Sequence, residues 1–244
     1  MPEHRTDQAS PEQDAVQARL TISAGLFVAL FISTVSLVGI GARYLAYGDV
    51  DLIHSYLILF FTSNLLVCYW EICLFFRRDY VELRTGYWRE RRRMTGRSPA
   101  RDLFATRVPL PRILSPTLWA DVWAAYCQYD DSYSDRRTYG FNVDIANGFF
   151  TPVPTLVLYA AYTVDCLPAL YVGILGAMLF WQWAYVTSVY WVSFFVAKRQ
   201  SHISLGEVYF FILTLNAYWV LSALLGLYVS IRLIVDGNYS VLGF

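Results

Sequence analysis

Five apolar runs, each near or above the roughly 20 residues a helix needs to cross a bilayer, constrain this chain more than any other feature. They lie at residues 20–47, 51–76, 141–163, 167–197 and 205–234 of a 244-residue chain. Hydrocarbon offers no partner to a backbone N–H or C=O, so such segments must satisfy their hydrogen bonds internally, as helices. The expected fold class is all-α: a polytopic membrane protein, a five-helix transmembrane bundle enclosing an intramembrane cavity. A polar segment, 1–19, precedes the bundle without the charged and apolar pattern of a cleaved signal peptide. Residues 20–244 then read as one transmembrane domain with no internal repeat.

The formal net charge of zero hides an asymmetry. With a cytoplasmic N-terminus, Arg5, Arg19, the thirteen arginines from Arg77 to Arg137, Lys198 and Arg199 all fall inside, leaving only Arg43 and Arg232 outside. That is a positive-inside pattern, so the N-terminus and the basic loop 77–139 are expected to be cytoplasmic. Anionic lipid head groups account for the loop's charge, and nucleic acid is not an expected partner. The first half of the loop, with Arg89, Arg91, Arg92, Arg93, Gly96, Ser98 and Pro99, is expected to be solvated and mobile. The second half carries Trp119, Trp123, Tyr126, Tyr129 and Tyr133, an aromatic density that suits an interfacial segment roofing a cavity.

Two acids interrupt the apolar runs. Glu71 precedes Arg77 by six residues and Asp144 follows Arg137 by seven, which at 1.5 Å per residue sets both about 10 Å from the basic ends of their helices. A carboxylate in hydrocarbon costs on the order of 3 kcal/mol on insertion scales, so it faces a cavity, a partner or a substrate. Desolvation favours its neutral form, and a neutral acid in a dry pocket is a proton donor. Helical spacing gives each acid polar companions: Asn64 and Cys68 with Glu71, and Asn147, Gly148 and Thr151 with Asp144. Tyr190 falls near the same level in the fourth run, and Asn216 and Trp219 share a face of the fifth. Together with Trp70 these residues compose an acid pair, amides and an aromatic cage able to stabilise a carbocation, at roughly 0.5 to 2 kcal/mol per ring. The alternative for either acid is an ion pair with Arg77, Arg78 or Arg137. For Asn216 it is a hydrogen bond to a neighbouring helix, and for Glu207 a capping box in Ser204, Leu205, Gly206, Glu207.

Other chemistries have less support. The four cysteines form no C-x-x-C pair, the three histidines have no metal-ligand spacing, and no glycine-rich nucleotide loop is present. Asp130, Asp131 and Asp135 form D-D-x-x-x-D, which leaves open a magnesium-bound diphosphate and a membrane prenyltransferase.

The stretch Trp123, Tyr126, Asp130, Tyr133 reads W-x-x-Y-x-x-x-D-x-x-Y and resembles the emopamil-binding protein family, which includes sterol isomerases. Asp144 falls fourteen positions after Asp130, where that family has its next acid. Glu71, after Tyr69 and Trp70, looks like its second-span acid, and Asn216 to Trp219 looks like its N-A-x-W. The resemblance covers roughly residues 64–228 and implies a five-helix cavity in which acids protonate a carbon–carbon double bond beside a tryptophan and an asparagine. The isomerases carry a histidine one turn before the second-span acid, where this chain has Val67; their third-span glutamate is Asp144 here, and their fourth-span Y-G-D reads Tyr190, Trp191, Val192. In size and chemistry the chain is also similar to small integral membrane terpene cyclases.

The expected function is a cofactor-independent class II-type terpene cyclase, with Asp144 as proton donor and Glu71 as its partner or final base. Asn216, Trp219, Tyr190, Trp70, Asn64 and Asn147 would bind substrate or stabilise the cation, and no metal site is assigned. A sterol double-bond isomerase, a magnesium-dependent prenyltransferase and a non-catalytic hydrophobic-ligand-binding protein are the alternatives. The expected partners are a hydrophobic isoprenoid or sterol-like substrate and the lipid bilayer, with a homodimer left open.

Overall fold

The computed structural model describes residues 20–244. The segment 1–19, expected to be cytoplasmic, and with it Arg5 and Arg19, lies outside the described residues. The fold is mostly helical. α1 (Ala24–Tyr47) starts at Ser23, whose hydroxyl accepts from the Leu26 N–H at 3.1 Å, and stops at Gly48 in the left-handed conformation, φ 72°. α2 (Leu52–Phe76) is capped by Asp51, which accepts from the His54 N–H at 2.7 Å. Then come α3 (Arg78–Thr95), α4 (Pro99–Ala105), α5 (Pro116–Tyr126), α6 (Tyr139–Phe150), α7 (Pro152–Val164), α8 (Ala169–Val196) and α9 (Leu205–Asp236). A short antiparallel ribbon, β1 (Thr21–Ser23) with β2 (Arg107–Pro109), ties the start of α1 to the loop and sets Ile22 opposite Val108.

Helices α1, α2, α8 and α9 are long and apolar enough to cross a membrane. Their outward residues are greasy: Leu37 is 65% exposed, Met178 68% and Val235 72%. Water would penalise such a surface and lipid would not.

Two expectations are corrected. The third run is not one helix: it breaks at Thr151 into α6 and α7. Pro152 and Pro154 have no N–H to give to the carbonyls of Gly148 and Phe150, so two rungs of the ladder, one on either side of that of Val153, are missing. The first half of the basic loop is a helix, α3, whose Val81, Thr85 and Trp88 are buried at i, i+4, i+7. Arg84 grips Asp121 at 3.1 Å, Arg91 grips Asp102 at 2.7 Å and Arg92 grips Glu207 at 2.6 Å, so its arginines staple neighbouring elements. The Ser204–Glu207 capping box is present.

The tightest contact joins α8 to α9. Ser222, Gly226 and Ser230 recur every four residues along α9, a small-residue stripe that lets backbones approach without hydrophobic drive. A Cβ on Gly173 would stand 2.8 Å from the Ser230 carbonyl, and one on Gly226 would overlap the Phe180 ring.

Gly226→Ala is expected to cost roughly 1–3 kcal/mol through this overlap. Gly41→Ala, where a Cβ meets nothing within 4 Å, should be neutral or slightly stabilising. Thermal unfolding of the detergent-solubilised variants measures both.

Candidate active site

The crossing of α2 and α6 builds the site. Gly148 lies on the contact, where an added Cβ would sit 2.8 Å from the Glu71 Cβ and 3.1 Å from the Cys68 carbonyl. The bare glycine therefore lets α6 approach until the Asn147 amide donates to Glu71 Oε2 at 2.8 Å. The Asn147 carbonyl in turn accepts from Trp183 Nε1 at 2.9 Å and from the Thr151 hydroxyl at 3.1 Å. Behind it, Asn64 donates to Thr155 at 3.2 Å, and Cys68 lies 3.2 Å from the Thr151 hydroxyl. Glu71 is only 3% exposed and Asn64 fully buried.

Asp144 stands one helical turn before Asn147, on the same cavity wall as Glu71. Among the described residues the Tyr133 phenol is the one side chain that offers its carboxyl a hydrogen bond, and neither acid forms an ion pair. Arg137 holds Asp135 at 3.1 Å and Arg78 donates to the Phe75 carbonyl at 3.0 Å, so the snorkelling alternative is not adopted. The Tyr133 phenol faces Asp144; burial, with that acid beside it, pushes the phenol well above its ordinary value, so it stays an O–H donor.

Glu71 and Asp144 open onto a cavity of about 470 Å³, within the range of small-molecule sites. Trp70, Trp123, Tyr126, Trp183 and Trp219 are among the aromatic residues that wall it. Trp70 stacks on Trp119 at 5.5 Å, and Trp219 meets the Phe60 ring edge to face at 6.1 Å. Val67 also faces this space. Asn216 lines it from α9, where residues Val208–Thr214 adopt a π-helix. Its widened turn frees carbonyls that side chains then take: Asn216 donates to Ile212 at 2.9 Å, Trp191 to Ile212 at 2.8 Å and Tyr126 to Phe211 at 3.2 Å.

Six of the eight expected site residues thus line one cavity: Asp144, Glu71, Asn147, Asn216, Trp219 and Trp70. Asn64 is sealed between helices behind it. Tyr190 turns away from the cavity, its hydroxyl donating to Asp130 Oδ2 at 2.8 Å. Asp130 is fully enclosed and also accepts from the Ser132 N–H at 3.0 Å, whereas Asp131 and Asp135 are exposed and lean on Arg199 and Arg137. Asp130 and Asp131 share Arg199 while Asp135 lies on Arg137, and among the described residues no group of three or more His, Cys, Asp and Glu gathers to hold a metal ion. The D-D-x-x-x-D reading therefore does not fit the geometry. Trp183 and Tyr133 were not among the expected site residues. Tyr133 sits in the aromatic motif, but nothing in the sequence pairs Trp183 with Asn147.

No protein-family model, curated protein or solved structure matches this chain.

Asn147→Leu would leave the Glu71 carboxyl and the Trp183 indole buried without partners and is expected to destabilise by roughly 2–5 kcal/mol. Trp183→Phe, which removes one donor, should cost about 1 kcal/mol. Denaturant titration in detergent would reveal a graded loss; equal stability of both variants would mean that the network contributes little.

Proposed function

We propose that this chain is a cofactor-independent membrane cyclase of class II type, acting on the alkene or epoxide of an isoprenoid small molecule. One observation carries the reading: a carboxyl, Asp144, opens onto an aromatic-walled cavity with the Tyr133 phenol as its one protein donor among the described residues, while its neighbour Glu71 is held by the Asn147 amide. In this reading α6 and α7 together form the fifth spanning segment, and the arginine-rich end of the bundle faces the cytoplasm.

The chemistry balances without a second reagent. The Asp144 O–H gives its proton to the terminal alkene carbon or to the epoxide oxygen. The resulting cation is captured by an internal double bond, which forms a ring and moves the charge along the chain. Trp219, Trp70 and Trp183 present negative ring faces to it, each contact stabilising by roughly 0.5 to 2 kcal/mol. The Asp144 carboxylate left behind removes the final C–H proton, which restores the acid and makes the product an isomer of the substrate. Asn216 orients a polar group of the substrate from the π-helical turn, and the apolar wall keeps out the water that would quench the cation.

The emopamil-binding-like isomerase is the second reading, favoured by the spacing from Trp123 through Tyr133 to Asp144. The relay histidine of that family would stand at Val67, on the cavity wall, where this chain offers only a methyl surface.

Membranes containing the wild-type chain are expected to convert a farnesylated or geranylated acceptor to a product of equal mass and new retention time, undiminished by EDTA. Asp144→Asn should lower that rate by roughly 10²–10⁴-fold, the contribution of a general acid. Turnover of a sterol alkene with no conversion of linear prenyl substrates would assign the isomerase instead. Binding that survives in both proteins without turnover would make the chain a ligand carrier.

A further inference from the structure

A second recess, about 590 Å³, opens at the arginine-rich end of the bundle, and the chemistry described above does not use it. Arg89, Arg92 and Arg93 reach it from one face of α3, at i, i+3 and i+4. Arg199 and His202 reach it from the 3₁₀ turn Arg199–His202 after α8, where i and i+3 eclipse. More than 100 residues separate the two groups, and the Arg92–Glu207 ion pair at 2.6 Å closes the gap between them.

The wall is rich in donors and poor in acceptors. Arg89 has no carboxylate partner among the described residues. Arg199 Nη1 is buried without a hydrogen bond, its nearest acid oxygen being Asp130 Oδ1 at 3.5 Å. Arg92 donates to Glu207 at 2.6 Å and to the Gln128 carbonyl at 2.9 Å, Arg93 keeps one edge on Glu90, and the acid that lines the recess is Asp131, 3.8 Å from Arg199 Nε. Arg89 and Arg199, reaching the recess from its two sides with N–H groups that no hydrogen bond takes among the described residues, match the several oxygens of a phosphate group better than a single-point anion. Diffuse attraction of lipid head groups to a basic loop would need no such concavity.

We infer that this recess is a binding site for a phosphate or diphosphate group. The group has two possible sources: the head of a phosphorylated isoprenoid, or the head group of an anionic lipid. Tyr129 borders both this recess and the acid-lined cavity, and its ring stacks on Phe211 at 3.6 Å, so one aromatic layer separates the two spaces. The inference does not depend on the cyclase reading, because it concerns a different set of side chains.

The test is titration of inorganic pyrophosphate into the full chain, reconstituted in phosphatidylcholine nanodiscs at about 0.1 M salt, where exposed charges are substantially screened. Saturable binding of one pyrophosphate per chain is expected. Arg89→Gln, at an exposed residue with no partner to lose, should weaken it about tenfold, the size of one charge-assisted contact. Arg199→Gln should do at least as much, and Arg199→Lys, which keeps the charge on Asp130, should retain part of the affinity and the fold. Farnesyl diphosphate binding more tightly than pyrophosphate would assign the site to the head of an isoprenoid. Displacement of pyrophosphate when phosphatidic acid is added to the nanodiscs would assign it to a lipid. Absence of saturable binding, or equal affinity in wild type and Arg89→Gln, would overturn the proposal, whether or not the membranes cyclise a prenyl substrate.

Discussion

The hydrogen bond from Asn147 to Glu71 at 2.8 Å is the interaction on which the interior of this bundle depends. An acid and an amide on facing apolar helices cannot turn to lipid for partners, so they must find each other or a cavity. Gly148 removes the side chain that would hold the helices apart, and Trp183 and Thr151 occupy the Asn147 carbonyl. Three helices, α2, α6 and α8, are thereby fixed in rotation and register about one amide. The cavity is what remains beside that fixed point, walled by aromatic residues too large to fill the gap they create.

The same constraint explains the irregular backbone around the site. A regular helix spends its carbonyls on itself, whereas the π-helical stretch Val208–Thr214 leaves Phe211 and Ile212 to accept from Tyr126, Asn216 and Trp191. These bonds join α5, α8 and α9 where no small-residue stripe brings them together. Below that level Ser222, Gly226 and Ser230 take over, and close packing is joined by contacts from the Tyr56 hydroxyl to Ser222 at 2.8 Å and the Tyr162 hydroxyl to Ser230 at 3.4 Å. The break at Pro152 follows this logic as well: Asn147 and Thr151, which face the buried network, lie just before it. Beyond it, Val153 and Leu156 of α7 are exposed in the manner of lipid-facing residues.

What was legible in the sequence is what periodicity and length encode. Four long helices stand within a few residues of where the apolar runs put them, and the acids Glu71 and Asp144 share a cavity as their matched depths suggest. The break of the third run was written in Pro152 and Pro154, but hydropathy averages over them. The stripe of Val81, Thr85 and Trp88 in α3 was hidden by the arginines that flank it. The ribbon of β1 and β2, three residues each, is too short to leave a period-two pattern. Tyr190 sits at the level its position predicts yet rotates toward Asp130, because depth along a helix says nothing about azimuth. The π-helix is set by which carbonyls find outside donors, a tertiary fact that no local signal carries.

The two acids are equivalent in sequence and unequal in place. Glu71 is buried and held by an amide that Trp183 and Thr151 hold in turn, so any change in its proton count would disturb the contact that orients three helices. Asp144 lines the same cavity with a different partner: the Tyr133 phenol faces it, and no amide or cation holds it. A bundle that needed carboxyls only for cohesion would have tied both to neighbouring spanning helices. Leaving one with a single phenol beside an aromatic wall is costly in hydrocarbon unless something else occupies that space. The asymmetry therefore supports a division of labour in which Glu71 builds the cavity and Asp144 meets what enters it.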